Sequence, residues 1–366
     1  MPDPRVTKLA QVLIHYSLQL KDGQQCFIRT SPLAEELTLE VYAEAIKTGA
    51  HVFVQNAVPG TEEVFYKQAS EKQLEHISPV RKLLLETFDA VLSIGAEHNT
   101  RALTAVDPNR IAIVHRANAP LTKSFFERTA RKEANWCYTE FPTQASAQEA
   151  DMSLAEYQDF VFTAGMLDDS DPVRAWQQAG QRQRELITWL KGKDRVVFKG
   201  PDIDLSLSIL DRTFVEADGR NNFPDGEIFT GPVEDTAEGW VRFRYPGIYG
   251  GREVIDIELW FKDGKVIKEK AAKGQELLTS LLDTDTGARY LGEWGIGTNY
   301  SIKRFTKNML FDEKIGGTIH FAVGASYPET GGMNDSGLHW DMLCDMTEGE
   351  ITIDGELFYK DGKPEV

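Results

Sequence analysis

Near residue 192 the chain changes its repeat, and that change limits the architectures open to it. Before it, segments with helical spacing alternate with short apolar runs. "DPRVTKLAQVLIHYSL" sets Val6, Leu9, Leu13 and Tyr16 on one helical face. "SPLAEELTLEVYAEAIKTGA" offers Ser31 as N-cap, Pro32 at the first helical position and Gly49 at the stop. "QQCFIRT", "HVFVQN", "FDAVLSIGA", "RIAIVHRAN" and "WCYTEFP" read as strands, and "GTEEVFYKQASEKQLEH", "APLTKSFFERTARKE", "MSLAEYQDFVFTAGM" and "DPVRAWQQAGQRQRELITWLKG" as helices. Such alternation implies a parallel sheet wrapped by helices. From "DRVVFKG" onward the pattern is strand, turn, strand. "DIDLSLSIL", "GWVRFRYP", "EVIDIELWF" and "KVIKEKAA" alternate with a period of two or nearly so, "KDGK" at 262–265 marks a hairpin, and "EGEITIDGELFYKDGKP" repeats that grammar. One helix, "GQELLTSLLDT", interrupts them. The expected fold is an α/β domain with a mainly parallel sheet over 1–190, followed by an α+β domain with a mainly antiparallel sheet over 191–366. The length of 366 residues suits two domains of roughly 150–200 residues each.

Composition narrows the function. A net charge of −17 argues against nucleic acid as a partner, because phosphate binding needs clustered Lys and Arg. It fits a site that collects cations. Cys26, Cys137 and Cys344 form no C-x-x-C pair, so neither a thiolate zinc site nor a disulfide framework is indicated. The start "MPDPRVTKLA" lacks the order of a signal peptide, and no apolar run approaches the roughly 18–20 residues of a membrane helix. The expectation is a soluble, cytoplasmic protein without a membrane partner. The first domain has neither G-x-G-x-x-G after its first strand nor a Walker A sequence. It reads as a scaffold or a cleft wall.

The chemistry gathers in the second half. In "GLHWDMLCDM", His339 and Asp341 stand two apart, so in a strand they share a face and Trp340 points away. Alone, the pair reads equally as a buried hydrogen-bonded couple. Glu227 follows Pro224-Asp225-Gly226, where a surface turn is the plain alternative. Glu293 lies between apolar neighbours in "RYLGEWGIGTN", with four glycines within 287–297. An ionised group buried there without a partner costs several kcal/mol, and a cation is the simplest compensation. His320 sits in a strand-like apolar run between Glu313 and Tyr327, where a satisfied core histidine is the plain alternative. The other histidines, His15, His51, His76, His98 and His115, are scattered and take no role. Together Glu227, Glu293, Glu313, His320, His339 and Asp341 supply four carboxylates and two imidazoles. That set suits two divalent ions about 3.5–4 Å apart, sharing a carboxylate and activating a water.

"NFPDGEIFTGPVE", "LGEWGIGTN", "MLFDEKIGGTIHFAVGASYP" and "NDSGLHWDM" resemble, in that order, the metal-site segments of the aminopeptidase T / aminopeptidase S / PepS family of metallopeptidases. "WCYTEFPTQASAQEADMS" and "EYQDF" resemble that family's first domain. The resemblance implies that Glu227, Glu293, Glu313, His320, His339 and Asp341 hold the metals, with Glu293 bridging. It implies zinc, cobalt, manganese or magnesium, a homodimer enclosing a chamber, peptide substrates and removal of the N-terminal residue. Tyr327 is expected at the site without being a main ligand, as a hydrogen-bond donor to the tetrahedral oxyanion, or else as a packing residue before Pro328. Glu293 or Glu227 is expected to carry the proton to the leaving amine.

Two other functions fit some of these residues. His320, His339 and Asp341 alone make the two-histidine, one-carboxylate set of mononuclear iron(II) oxygenases, and dihydroxypyridine dioxygenases resemble this fold. That reading leaves Glu227, Glu293 and Glu313 unused. A non-catalytic metal-binding protein would bind ions without turnover.

Overall fold

A computed structural model describes residues 3–366. The chain divides into two compact units, one running to Ala175 and including Gly219–Pro224, the other comprising Trp176–Asp218 and Asp225–Val366. The division falls one helix earlier than the expected boundary at 190/191, because most of the helix Pro172–Leu190 belongs to the second unit.

In the first unit, β1 (Gln25–Thr30), β2 (His51–Asn56), β3 (Ala90–Gly95), β4 (Asn135–Glu140) and β8 (Asn222–Phe223) form a parallel sheet in the order β2-β1-β3-β4-β8. Consecutive residues Ala90, Val91 and Leu92 of β3 are all buried, as expected when helices cover both faces. Ser31 accepts a hydrogen bond from the Leu33 N–H, and Pro32 opens a single 3₁₀ turn before the helix Glu35–Lys47.

One expectation is corrected here. "RIAIVHRAN" is not a strand. It lies inside the helix Pro108–Ala130, together with "APLTKSFFERTA". The β-branched run imitates a strand and Pro120 imitates a boundary, but Asp107 accepts from the Asn109 N–H and Pro108 takes the first helical position. Ile111, Ile113 and Val114 then pack on Tyr66, Leu74 and Val106. The sheet's last strand comes instead from Asn222–Phe223, far along the chain.

In the second unit every strand pairing is antiparallel. The larger sheet runs β14-β13-β10-β6-β5-β18-β19-β20, built from β5 (Arg195–Gly200), β6 (Ile203–Ser208), β10 (Glu238–Phe243), β13 (Ile257–Lys262), β14 (Lys265–Lys270), β18 (Glu350–Ile353), β19 (Glu356–Lys360) and β20 (Lys363–Pro364). The smaller sheet runs β17-β16-β15-β9-β7, from β7 (Val215–Ala217), β9 (Glu227–Thr230), β15 (Leu291–Gly297), β16 (Thr318–Gly324) and β17 (His339–Asp345). A separate ribbon joins β11 (Gly247–Tyr249) to β12 (Arg252–Val254). One apolar cluster takes Phe198, Leu205, Val241 and Leu259 from the larger sheet and Ile228, Trp294, Phe321 and Trp340 from the smaller. Phe198 meets Trp294 and Phe321 edge to face, at centroid distances of 5.1 and 5.3 Å. Among the described residues no helix is long and apolar enough to cross a membrane.

Three hairpins of the larger sheet use Asp-Gly turns with both residues at positive φ: Asp263 and Gly264 at 48° and 76°, Asp354 and Gly355 at 52° and 82°, Asp361 and Gly362 at 47° and 79°. This mirror-image turn matches the twist of the flanking strands. The glycines differ in their surroundings. A Cβ on Gly264 would lie 1.9 Å from the Glu234 carbonyl oxygen, whereas one on Gly355 meets nothing within 4 Å. Gly355→Ala is expected to cost only the left-handed backbone strain, about 1–2 kcal/mol, and Gly264→Ala clearly more. Urea unfolding of both variants checks this, and equal losses would contradict it.

Candidate metal centre

The smaller sheet has one dry face and one charged face. Strand alternation turns Ile228, Trp294, Ile296, Ile319, Phe321, Val323, Trp340, Met342 and Cys344 into the core. It leaves Glu227, Glu293, His320, His339 and Asp341 on the opposite face. An irregular register between Leu291 and Glu293 helps set Glu293 against Ala322. The partners across the ladder are small: Gly297 faces Glu227, Gly295 faces His320, Ala322 faces both Glu293 and Asp341, and Gly324 faces His339. This spacing makes room for the larger side chains. A Cβ on Gly295 would fall 2.1 Å from His320 Nε2.

These residues, with Glu313 from the end of the short helix Met309–Asp312, make three interlocked donor groups. Glu227, Glu293 and His320 form one, Glu293, His339 and Asp341 a second, and Glu313, His320 and Asp341 a third. Within each group the donor atoms lie within 4.8 Å of one another. All six expected ligands therefore stand in one place, and Glu293 belongs to two of the groups. His320 Nε2 is 3.2 Å from Glu227 Oε2 and 3.3 Å from Glu293 Oε1. His339 Nε2 is 3.4 Å from both Glu293 Oε2 and Asp341 Oδ2. The Nδ1 of His339 lies 2.8 Å from the Ala325 carbonyl. A proton on Nδ1 makes that bond and frees Nε2 as a lone-pair donor, an arrangement that commonly orients a metal-bound imidazole.

The donor set fits divalent cations. Glu227 Oε2, Glu293 Oε2 and Asp341 Oδ1 are buried oxygens without a hydrogen-bond partner. Such oxygens are costly unless a cation satisfies them. A mixture of carboxylate and imidazole suits zinc, cobalt or manganese.

Two residues of the cluster escape sequence reasoning. Lys314 is 1% exposed, and its Nζ lies 2.5 Å from Glu227 Oε1 and 3.6 Å from Asp225 Oδ1. It also donates to Glu313 Oε1. A lysine after "FDE" reads as solvated charge, and no local pattern marks it as the counter-ion of a glutamate 87 positions earlier. Asp225, also buried, accepts from the Gly226 N–H.

Burial pushes Glu227 up to about 8 and Asp225 up to about 6, against the opposing pull of Lys314. Burial acts to lower both imidazoles, but their carboxylate neighbours win. His320 rises to about 9 through Glu293, Glu227 and Asp341, and His339 to about 11 through Asp341 and Glu293. Tyr327 stands beside this face, its ring centroid 4.9 Å from that of His339 and 5.6 Å from that of Phe229. Burial and the surrounding carboxylates hold its phenol above the ordinary value, so the O–H remains a donor.

Residues 3–364 match the family described as thermophilic metalloprotease (M29). The chain is 28% identical to a protein named aminopeptidase 2 of Geobacillus stearothermophilus, covering 99% of this chain and 96% of that one. It is 28% identical to aminopeptidase T of Thermus thermophilus, covering 97% and 95%. The fold is that of the wild-type AmpT structure from Thermus thermophilus, with a TM-score of 0.85, 24% identity and 99% of each chain covered. The 2,5-dihydroxypyridine dioxygenase of Pseudomonas putida KT2440 shares the fold more distantly, with a TM-score of 0.60 and 14% identity over 98% of this chain and 96% of that one.

A divalent ion takes its imidazole neutral and its carboxylate ionised, so ions filling this centre near neutral pH displace the protons on His320, His339 and Glu227. Both imidazoles titrate above the ordinary value of about 6.5, so apparent ion affinity falls as pH drops and climbs toward pH 9. Calorimetric titration of ion-free protein at pH 7, in two buffers of different ionisation enthalpy, is expected to report release of on the order of three protons per chain. Uptake with no proton release would contradict this electrostatic picture.

Proposed function

The chain belongs to the thermophilic metalloprotease (M29) family, and from that membership we propose that it is a metal-dependent aminopeptidase hydrolysing the N-terminal peptide bond of peptides. The observation that carries this reading is the convergence of Glu227, Glu293, Glu313, His320, His339 and Asp341 into three overlapping donor groups. We further propose two ions per chain, one held by Glu293, His339 and Asp341, the other through Glu227, Glu293 and His320 with Glu313 at hand. Zinc, cobalt, manganese and magnesium are the candidates. When bound, such ions supply Lewis acidity and bring the pKa of a water toward about 7.

The protein's own groups would do the rest. Glu293, common to two donor groups, would serve as a ligand at both positions. Glu293 or Glu227 takes the proton from the attacking water and returns it to the leaving amine. Glu227 is suited to this because one oxygen is anchored by Lys314 while Oε2 is left without a hydrogen bond. Tyr327 directs its O–H toward the developing oxyanion, and its ring is braced by Phe229 and His339. An oxyanion donor of this kind contributes about 2.7–4 kcal/mol to the transition state. The same reading gives a homodimer acting in the cytoplasm, which sedimentation and fractionation of the native source would test.

Chelation followed by separate return of each metal, with aminoacyl-p-nitroanilides as substrates, tests the proposal directly. Metal-dependent turnover with two ions per chain supports it, and a single oxygen-sensitive iron would favour the oxygenase chemistry instead. Glu293→Gln should abolish hydrolysis while the protein stays folded and soluble, and full retained activity would refute the bridging role. Tyr327→Phe is expected to lower kcat by roughly 10²–10³-fold with metal content unchanged. A kcat within threefold of the parent protein would make Tyr327 a packing residue.

A further inference from the structure

Lys314 lies on one side of the donor set. Its partners are Glu227 Oε1, Glu313 Oε1 and Asp225 Oδ1. The groups Glu227–Glu293–His320 and Glu313–His320–Asp341 each contain one of those partners, whereas Glu293–His339–Asp341 contains neither. An ion entering through Glu227 or Glu313 must share its carboxylate with a fixed ammonium. Its double charge would also face that ammonium where little water screens the repulsion. An ion at Glu293, His339 and Asp341 shares none of its three ligands with Lys314. It also meets an imidazole already oriented by the Ala325 carbonyl.

We propose that Lys314 grades the centre, so that the position at Glu293, His339 and Asp341 fills first and tightly, while the position reached through Glu227 or Glu313 fills second and weakly. This deepens the reading of the centre as a two-ion peptidase site and rests on it. Occupancy of the second position, and with it full activity, then follows the free divalent-ion concentration around the protein. In the ion-poor state Lys314 serves as a resident cation, holding Glu227 and Glu313 together.

The test is stepwise loading of the chelated full-length protein with Mn²⁺, followed by calorimetry and by metal analysis of dialysed samples. The parent protein is expected to take up two ions in separate steps, the second at least tenfold weaker. Lys314→Met should tighten the second step at least tenfold and move the first by less than threefold. Lys314→Arg, which keeps the charge, should leave the steps apart. His339→Asn should abolish the tight step and spare the weak one. Because Lys314→Met strips a buried cation from acidic neighbours, its fold is checked by circular dichroism with ions present. Should it not fold, the Arg and Asn variants carry the decision. Two equal steps in the parent protein, a second step unchanged or weaker in Lys314→Met, steps merging in Lys314→Arg, or loss of the weak step in His339→Asn would each overturn the grading. Uptake of no ion by the parent protein would instead sink the two-ion reading beneath it.

Discussion

The alternation of the smaller sheet is the constraint on which the rest depends. The same strands that send Trp294, Phe321 and Trp340 into the core must send Glu293, His320 and His339 the other way. A slip of one residue in any of these strands would put an ionisable group into the apolar cluster. The register is therefore held by the full hydrophobic weight of the unit, and the charged face inherits that rigidity. Glycine and alanine across the ladder complete the arrangement, because they let imidazoles and carboxylates lie over neighbouring strands.

A cluster of this kind would fly apart on charge alone. It is tolerated because each acid has a specific neighbour. Lys314 serves Glu227 and Glu313, His320 lies against Glu227 and Glu293, and His339 lies against Glu293 and Asp341. The oxygens left over are Glu227 Oε2, Glu293 Oε2 and Asp341 Oδ1. Their lack of partners is what a metal-binding protein gives up in ion-free stability for affinity later, and it ties folding to metal supply.

Much of this was legible in the sequence, for identifiable reasons. The break in repeat near 192 separated the two kinds of sheet, since period and turn chemistry are local properties. Glu293 stood out because a carboxylate between Leu291 and Trp294 needs either a cation or a buried salt bridge to compensate it. His339 and Asp341 stood out because their spacing matches the strand period. The failures were of two kinds. "RIAIVHRAN" imitates a strand because its β-branched side chains carry the stronger local signal, while Asp107-Pro108 starts a helix there. Lys314, Asp225 and the strand Asn222–Phe223 were missed because their roles arise only from contacts distant in sequence, 87 positions apart for Lys314 and Glu227. The aromatic bracing of Tyr327 by Phe229 and His339 is likewise a matter of strand order, which no single stretch of sequence encodes.

The detour through Asn222–Phe223 has a consequence for how the protein is made. Four strands of the parallel sheet have been synthesised once Glu140 is added, yet the fifth, which pairs with Tyr138 and Thr139, follows only some eighty residues later. Until then β4 presents an open edge to the nascent chain and its surroundings, a hazard that proteins otherwise avoid. Fragments ending near 190 would carry the same exposed edge permanently. Such truncations are poor candidates for isolating the first unit, whereas one that retains Gly219–Pro224 keeps the seam closed.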